Sequence, residues 1–98
     1  MNTFQKIANA AHKFGDGLAG ATMGTASGEF LSETGFQSVG DSLKEYGNSS
    51  ISSAIEASYE VPLIGAPLSH CTSSVLTGVR DFSRLVGKGT AFLYKNSK

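Results

Sequence analysis

Three adjacent residues, Ser69, His70 and Cys71, are the side chains of this 98-residue chain best suited to nucleophilic chemistry. A hydrolase needs a nucleophile within hydrogen-bond reach of a base, and a third group that orients the base. Adjacency in sequence does not supply this geometry, and nothing nearby indicates an orienting group. We therefore expect no nucleophilic site here, and we expect Cys71 to be a small, buried apolar residue.

Other catalytic patterns are equally weak. His12, His70 and Cys71 do not have the ligand spacing of a zinc site. The sequence GKGT at 87–90 lacks the GxxxxGK[ST] spacing of a phosphate loop and follows a predicted helix instead of a strand. The acidic residues of 29–60 are spread over several elements. The sequence thus predicts a protein that is not an enzyme, with no cofactor and no metal.

Basic residues cluster near the C-terminus, where Arg80, Arg84 and Lys88 are spaced by four and share one helix face. Basic residues near aromatic side chains can bind nucleic acid or anionic lipid. The chain has a net charge of zero, however, which argues against a dedicated nucleic-acid binder. Two other interpretations stay open: a solvated face, or contact with an acidic neighbour, since residues 29–60 carry six acids and one lysine.

A glycine ladder, Gly20, Gly24 and Gly28, repeats every four residues in a segment that otherwise has helical character. Each glycine costs about 1 kcal/mol relative to alanine inside a helix. Close approach of a second backbone can offset that cost through dispersion and weak Cα–H···O contacts. The ladder therefore predicts a helix-contact interface. A flexible loop and a membrane-embedded ladder are the alternatives, and the polar residues Thr22 and Glu29 weigh against the membrane.

The elements that would position these residues follow from apolar periodicity. Steps of three and four predict a first helix from residue 3, which runs to residue 33 and stops at Gly35 unless Gly15 and Gly17 end it earlier. A similar stripe predicts a last helix over 67–86. The apolar positions are Phe4, Ile7, Ala11, Phe14, Leu18 and Ala21 in the first helix, and Leu68, Thr72, Val75, Val79, Phe82 and Val86 in the last.

Between and after these helices, we expect only short elements. One or two short helices are predicted between the two longer ones: one over 36–47 and, after a turn at GNSS, residues 47–50, a short apolar segment over 51–59. Glycines at 87 and 89 are expected to end the last helix. Residues 90–95 would then form a strand or a docking tail, and residues 88–98 a possible extended basic tail.

The sequence as a whole indicates one small all-α domain over 1–98, with the two longer helices as an antiparallel pair. Ser, Gly, Ala and Thr number 43, whereas Leu, Ile, Val and Phe number only 23. Such a sparse core favours a structural or assembly subunit that packs through small-residue helix faces. It would do so in a homo-oligomer or in a larger complex, such as a virion or a membrane-associated assembly.

The alternative is a membrane-active or membrane-surface protein, a pore-former or lipid binder. The glycine ladder, the amphipathic N-terminus and the uncharged residues 61–79 motivate it, although two prolines make that segment a weak candidate for a span. We expect protein partners and possible membrane contact, and no nucleic acid. A small enzyme or a nucleic-acid-binding regulator is the remaining class.

Overall fold

The computed structural model describes residues 1–97, in which every regular element is a helix, so the predicted all-α class is confirmed. The first long helix consists of α1 (Thr3–Ala19), a π-helical turn (Gly20–Gly24) and α2 (Thr25–Glu33). A capping box begins it: the Asn2 side chain accepts from the Gln5 N–H at 2.8 Å, and the Gln5 side chain accepts from the Asn2 N–H at 3.0 Å.

The end of α2 is set by Gly35, as the sequence predicts. Gly35 has a φ of +104°, a conformation that side chains disfavour. The next N–H, of Phe36, donates to the carbonyl oxygen of Leu31 at 2.8 Å, the long hydrogen bond of a Schellman motif. The expected helix over 3–33 is therefore confirmed, and Gly15 and Gly17 lie inside it.

A single helix, α3 (Gln37–Tyr59), replaces the one or two short helices and the turn that the sequence predicts. That prediction is wrong because Gly47 is used for packing. A Cβ placed on Gly47 would lie 2.6 Å from the carbonyl oxygen of Gly20, so only glycine permits this approach. The tertiary contact offsets a helix cost of about 1 kcal/mol.

The last helix, α4 (Gly65–Asn96), is also longer than the predicted 67–86. Gly87 does not end it, because this glycine lies against α2: a Cβ there would be 2.5 Å from the carbonyl oxygen of Ala26. Residues 88–96 are helical, so the expectation of an extended tail or a strand is wrong for them. The final residue, Lys98, lies outside the described residues.

The three long helices run antiparallel in chain order and form an elongated bundle. Its extents are 55 × 20 × 14 Å. The π-helical turn and α2 pack on both α3 and α4, whereas α1 packs mainly on α3. The first halves of α1 and α4 consequently stand apart, with a groove between them.

The interior of this bundle is built from small side chains. The central cluster contains Ala21, Ala54, Ile51 and Leu76, and a second cluster lies towards the end where α1 begins. Leu76 and Thr25 are the largest side chains that are fully buried. Among the described residues, no helix combines the length and the apolar character that crossing a bilayer requires.

Candidate assembly surface

The glycine ladder lies on α3 of its own chain. A Cβ on Gly20 would meet the Cβ of Ser50 at 2.9 Å, and a Cβ on Gly28 would meet the carbonyl oxygen of Gly40 at 2.7 Å. The approach at Gly24 is looser, with the Leu43 carbonyl oxygen at 3.3 Å. The ladder thus faces an intramolecular neighbour, and it is not open to a second chain.

The surface of α3 that packs against the glycine ladder is not predicted from the sequence. Gly40, Gly47 and Ala54 are spaced by seven, and each lies opposite a small residue of the first helix. A heptad repeat of small residues is the sequence signal for this surface. Interpreting GNSS, residues 47–50, as a turn divides that repeat.

Polar groups inside the bundle have partners. The Ser58 and Thr72 hydroxyl oxygens lie 2.9 Å apart between α3 and α4, and the Ser58 hydroxyl also donates to the Ala54 carbonyl. Among residues 1–97, no buried side-chain nitrogen or oxygen lacks a hydrogen bond. These groups fix the helices against one another, and none projects unpartnered into a cavity as a ligand-binding group would.

The predicted basic face makes contacts with acidic residues of the same chain. The Arg84 Nε lies 3.7 Å from a carboxylate oxygen of Glu29, whose side chain is only 8% exposed. The Arg80 side chain donates to Asn48 of α3 and to its neighbour Asp81. Lys88 is exposed. Two of the three basic residues therefore lie against acidic groups of the same chain.

The residues considered for catalysis do not come together. The Ser69 hydroxyl donates to the Ala66 carbonyl of its own helix at 2.9 Å. Cys71 is exposed, so the expectation of a buried cysteine is wrong. Its position follows from the separation of α1 and α4, which leaves this turn uncovered. Across residues 1–97, no three His, Cys, Asp or Glu side chains are grouped closely enough to hold a metal ion.

The outer surface of the bundle, in contrast, carries large apolar side chains. Phe82 is 69% exposed, Met23 74% and Phe4 78%. Met23 and Phe82 line the same recess. The other large apolar residues that are exposed are Met1, Ile7, Phe36, Val39, Tyr46, Tyr59, Leu63, Ile64, Val75, Leu85, Val86, Phe92, Leu93 and Tyr94.

Part of this surface is concave and forms what we call the apolar groove, between the first long helix and α4. It consists of three successive recesses with volumes of about 540, 720 and 380 Å³. The first two share Val75, and the last two share Val86. Along this groove no charged side chain lines any of the three recesses.

Comparison with known proteins gives no relative: no family model, no curated protein and no solved structure matches this chain. Its function therefore has to be inferred from its own geometry.

Proposed function

We propose that this protein is a non-enzymatic structural subunit, which assembles with protein partners in a homo-oligomer or in a larger complex such as a virion or a membrane-associated assembly. Its small-residue faces hold its own three helices together. Its exposed apolar side chains provide the contact surface for other subunits.

The observation that carries this proposal is the inverted distribution of side-chain size. Glycine, alanine, serine and threonine fill the interior, whereas most of the phenylalanines and tyrosines are exposed. A free-standing domain gains stability by burying its large apolar residues, at about 1.5–3 kcal/mol for each. This chain leaves most of that free energy available for association.

The mass of the particle in solution tests the proposal. We expect light scattering on the purified full-length protein, in buffer without detergent, to give a mass above that of the 10.2 kDa chain. A cooperatively melting monomer at high protein concentration, with no partner retained when it is purified from its native source, would contradict it. Mild detergent provides the comparison, because it competes for exposed apolar surface.

Association with a membrane surface is the second candidate. The N-terminal turns of α1 favour it, because exposed Phe4 and Ile7 flank Lys6. Apolar side chains that enter the headgroup region together with a nearby lysine are typical of interfacial helices. Flotation with anionic and neutral vesicles tests this candidate, and Phe4→Ser is the variant to compare. Absence of the protein from both vesicle fractions would reject it.

A further inference from the structure

The apolar groove has an alternation of small and large residues that is self-complementary. Gly78 lies in the central recess, and a Cβ placed on it would meet no atom within 4 Å. Phe82, which is one helical turn further along α4, lines the same recess and is mostly exposed. One face of α4 therefore offers a hole and a projecting ring at positions i and i+4.

We propose that the apolar groove is the interface between two copies of this chain, related by a two-fold axis that crosses α4 midway between Gly78 and Phe82. The two α4 helices then lie antiparallel, and Phe82 of each copy fills the space above the partner's Gly78. This proposal rests on the proposed function and names the partner and the surface. Because the interface is isologous, the contact between Phe82 of one copy and Gly78 of the other occurs twice in each dimer.

The size of the groove suits a second copy. Its lining extends along α4 from Leu68 to Thr90, which at 1.5 Å per residue is about 33 Å. A contact that used the full 20 Å width of the bundle over this length would cover at most about 700 Å² per copy, or about 1,400 Å² in total. Stable complexes bury roughly 1,200–2,000 Å².

The charge distribution also favours a second copy of the chain. The groove lining is uncharged, and the chain has a net charge of zero, so two copies do not repel each other. A strongly basic or acidic partner would gain nothing from this surface. Arg84 and Lys95 of α4 pair with Glu29 and Glu33, which belong to α2 of the same chain.

The test is sedimentation velocity on the full-length protein over a range of concentrations, with Phe82→Ala and Gly78→Leu as interface variants. The first removes the ring and the second fills the hole. Each is expected to weaken the dimer by about tenfold or more in Kd, which is the effect of losing a central contact. Leu85→Ala is the matched control, because Leu85 is an exposed apolar residue of α4 outside the groove lining, and it is expected to leave the Kd unchanged.

Circular dichroism of each variant verifies folding, which these exposed positions should not affect. A second measurement is independent of affinity: in a Cys71→Ser background, Gly78→Cys should crosslink to a dimer with a short bifunctional thiol reagent, and exposed Ser74→Cys should not.

Three outcomes would overturn the groove as the dimer interface. If the protein assembles but Phe82→Ala and Gly78→Leu have the wild-type Kd, the groove is not the interface, although the proposed function stands. If the protein is a monomer that floats with vesicles, lipid covers the groove. If it is a monomer that binds neither vesicles nor any partner, the inference and the proposed function both fail.

Discussion

Gly47 and Gly20 lie backbone to backbone between α3 and the first helix, whereas Gly89 of α4 has no atom near its missing Cβ. The chain therefore contains two kinds of helical glycine that have the same intrinsic helix cost. The first kind permits contact between helices. The second kind makes no such contact within its own chain.

Alanine substitution should separate these two kinds of glycine. We expect Gly47→Ala to lower the free energy of unfolding, because overpacking of about 1–3 kcal/mol exceeds a helix gain of about 1 kcal/mol. Gly89→Ala should raise it by about 0.5–1 kcal/mol. Urea unfolding followed by circular dichroism, at one protein concentration, measures both. Equal stabilisation by the two changes would show that Gly47 is not in close contact.

The ladder itself should give graded effects. Gly28→Ala is expected to destabilise the protein, since its Cβ would overlap the Gly40 carbonyl. Gly24→Ala should be close to neutral, because its neighbours stand at 3.3 Å or more. Gly24→Leu should destabilise by steric clash with α3. If Gly24→Leu changes neither stability nor assembly, the spacing of the three glycines does not reflect a close helix contact.

Glu29 is the one acidic residue in the interior of the described chain, and it lies between Lys44 at 3.4 Å and Arg84 at 3.7 Å. A carboxylate at such a position must have a cation close by, because burial without one is costly. Glu29 thereby links α2 both to α3 and to α4. The pair Glu33–Lys95 joins α2 to α4 with more solvent exposure.

Double-mutant cycles should rank these two pairs. We expect a coupling free energy of about 1 kcal/mol for Glu29→Gln with Arg84→Met, reduced by the partial exposure of Arg84. Glu33→Gln with Lys95→Met should give less than about 0.5 kcal/mol, as exposed pairs do. For each pair, chemical denaturation of the wild type, the two single variants and the double variant gives the four free energies of unfolding. If the coupling free energy of Glu33–Lys95 exceeded that of Glu29–Arg84, the exposed pair at the end of α4 would contribute more to stability than the buried one.

At the scale of elements, the π-helical turn lets one long helix keep its contact with α3 on both sides of the turn. The Thr25 N–H donates to the Gly20 carbonyl, five residues back, and the Thr25 hydroxyl donates to the same oxygen at 3.3 Å. A π turn contains one residue more than an α turn. The extra residue is absorbed locally, so Gly17 and Gly28 both face α3.

Single-residue deletions test this interpretation. Deletion of exposed Met23 should convert the π turn to α-helix and retain the orientation of α1 and α2, with little loss of helicity. Deletion of exposed Gly15 instead rotates the preceding residues by about 100°. That rotation moves Ala10 and Phe14 off α3 and should cost on the order of 2 kcal/mol or more. Thermal unfolding compares the two deletions, and equal losses would argue against a register-absorbing π turn.

At the scale of the whole molecule, the apolar groove is separate from the ion pairs that join the helices. The apolar groove has no charged lining, and the main ion pairs between helices join α2 to its neighbours. Association through the groove should therefore respond to solvent in the way that apolar contacts do.

Salt provides the measurement at this scale. We expect the dimer Kd to change by less than about threefold between low salt and 1 M NaCl, where the screening length falls to about 3 Å. Sulfate should tighten the dimer, because excluded salts strengthen apolar burial. Sedimentation equilibrium at the two salt concentrations tests this expectation. Dissociation at 1 M NaCl would assign the interface to charged residues instead.

The sequence by itself determined the helical class, the first helix with its glycine stop at residue 35, and the importance of small residues. These properties depend on local capping, periodicity and composition. Because helix caps involve residues within one turn of each other, they could be predicted without tertiary information.

Only the tertiary structure decided that α3 is continuous, that α4 runs to Asn96, and that the glycine ladder meets its own chain. By local propensity, Gly47 and Gly87 should end their helices, because glycine inside a helix costs about 1 kcal/mol relative to alanine. Tertiary packing outweighs this cost: the backbone of Gly20 packs against Gly47, and the backbone of Ala26 packs against Gly87. The groove lined by Val75 and Phe82 likewise exists only in the folded bundle, where the first long helix and α4 lie side by side.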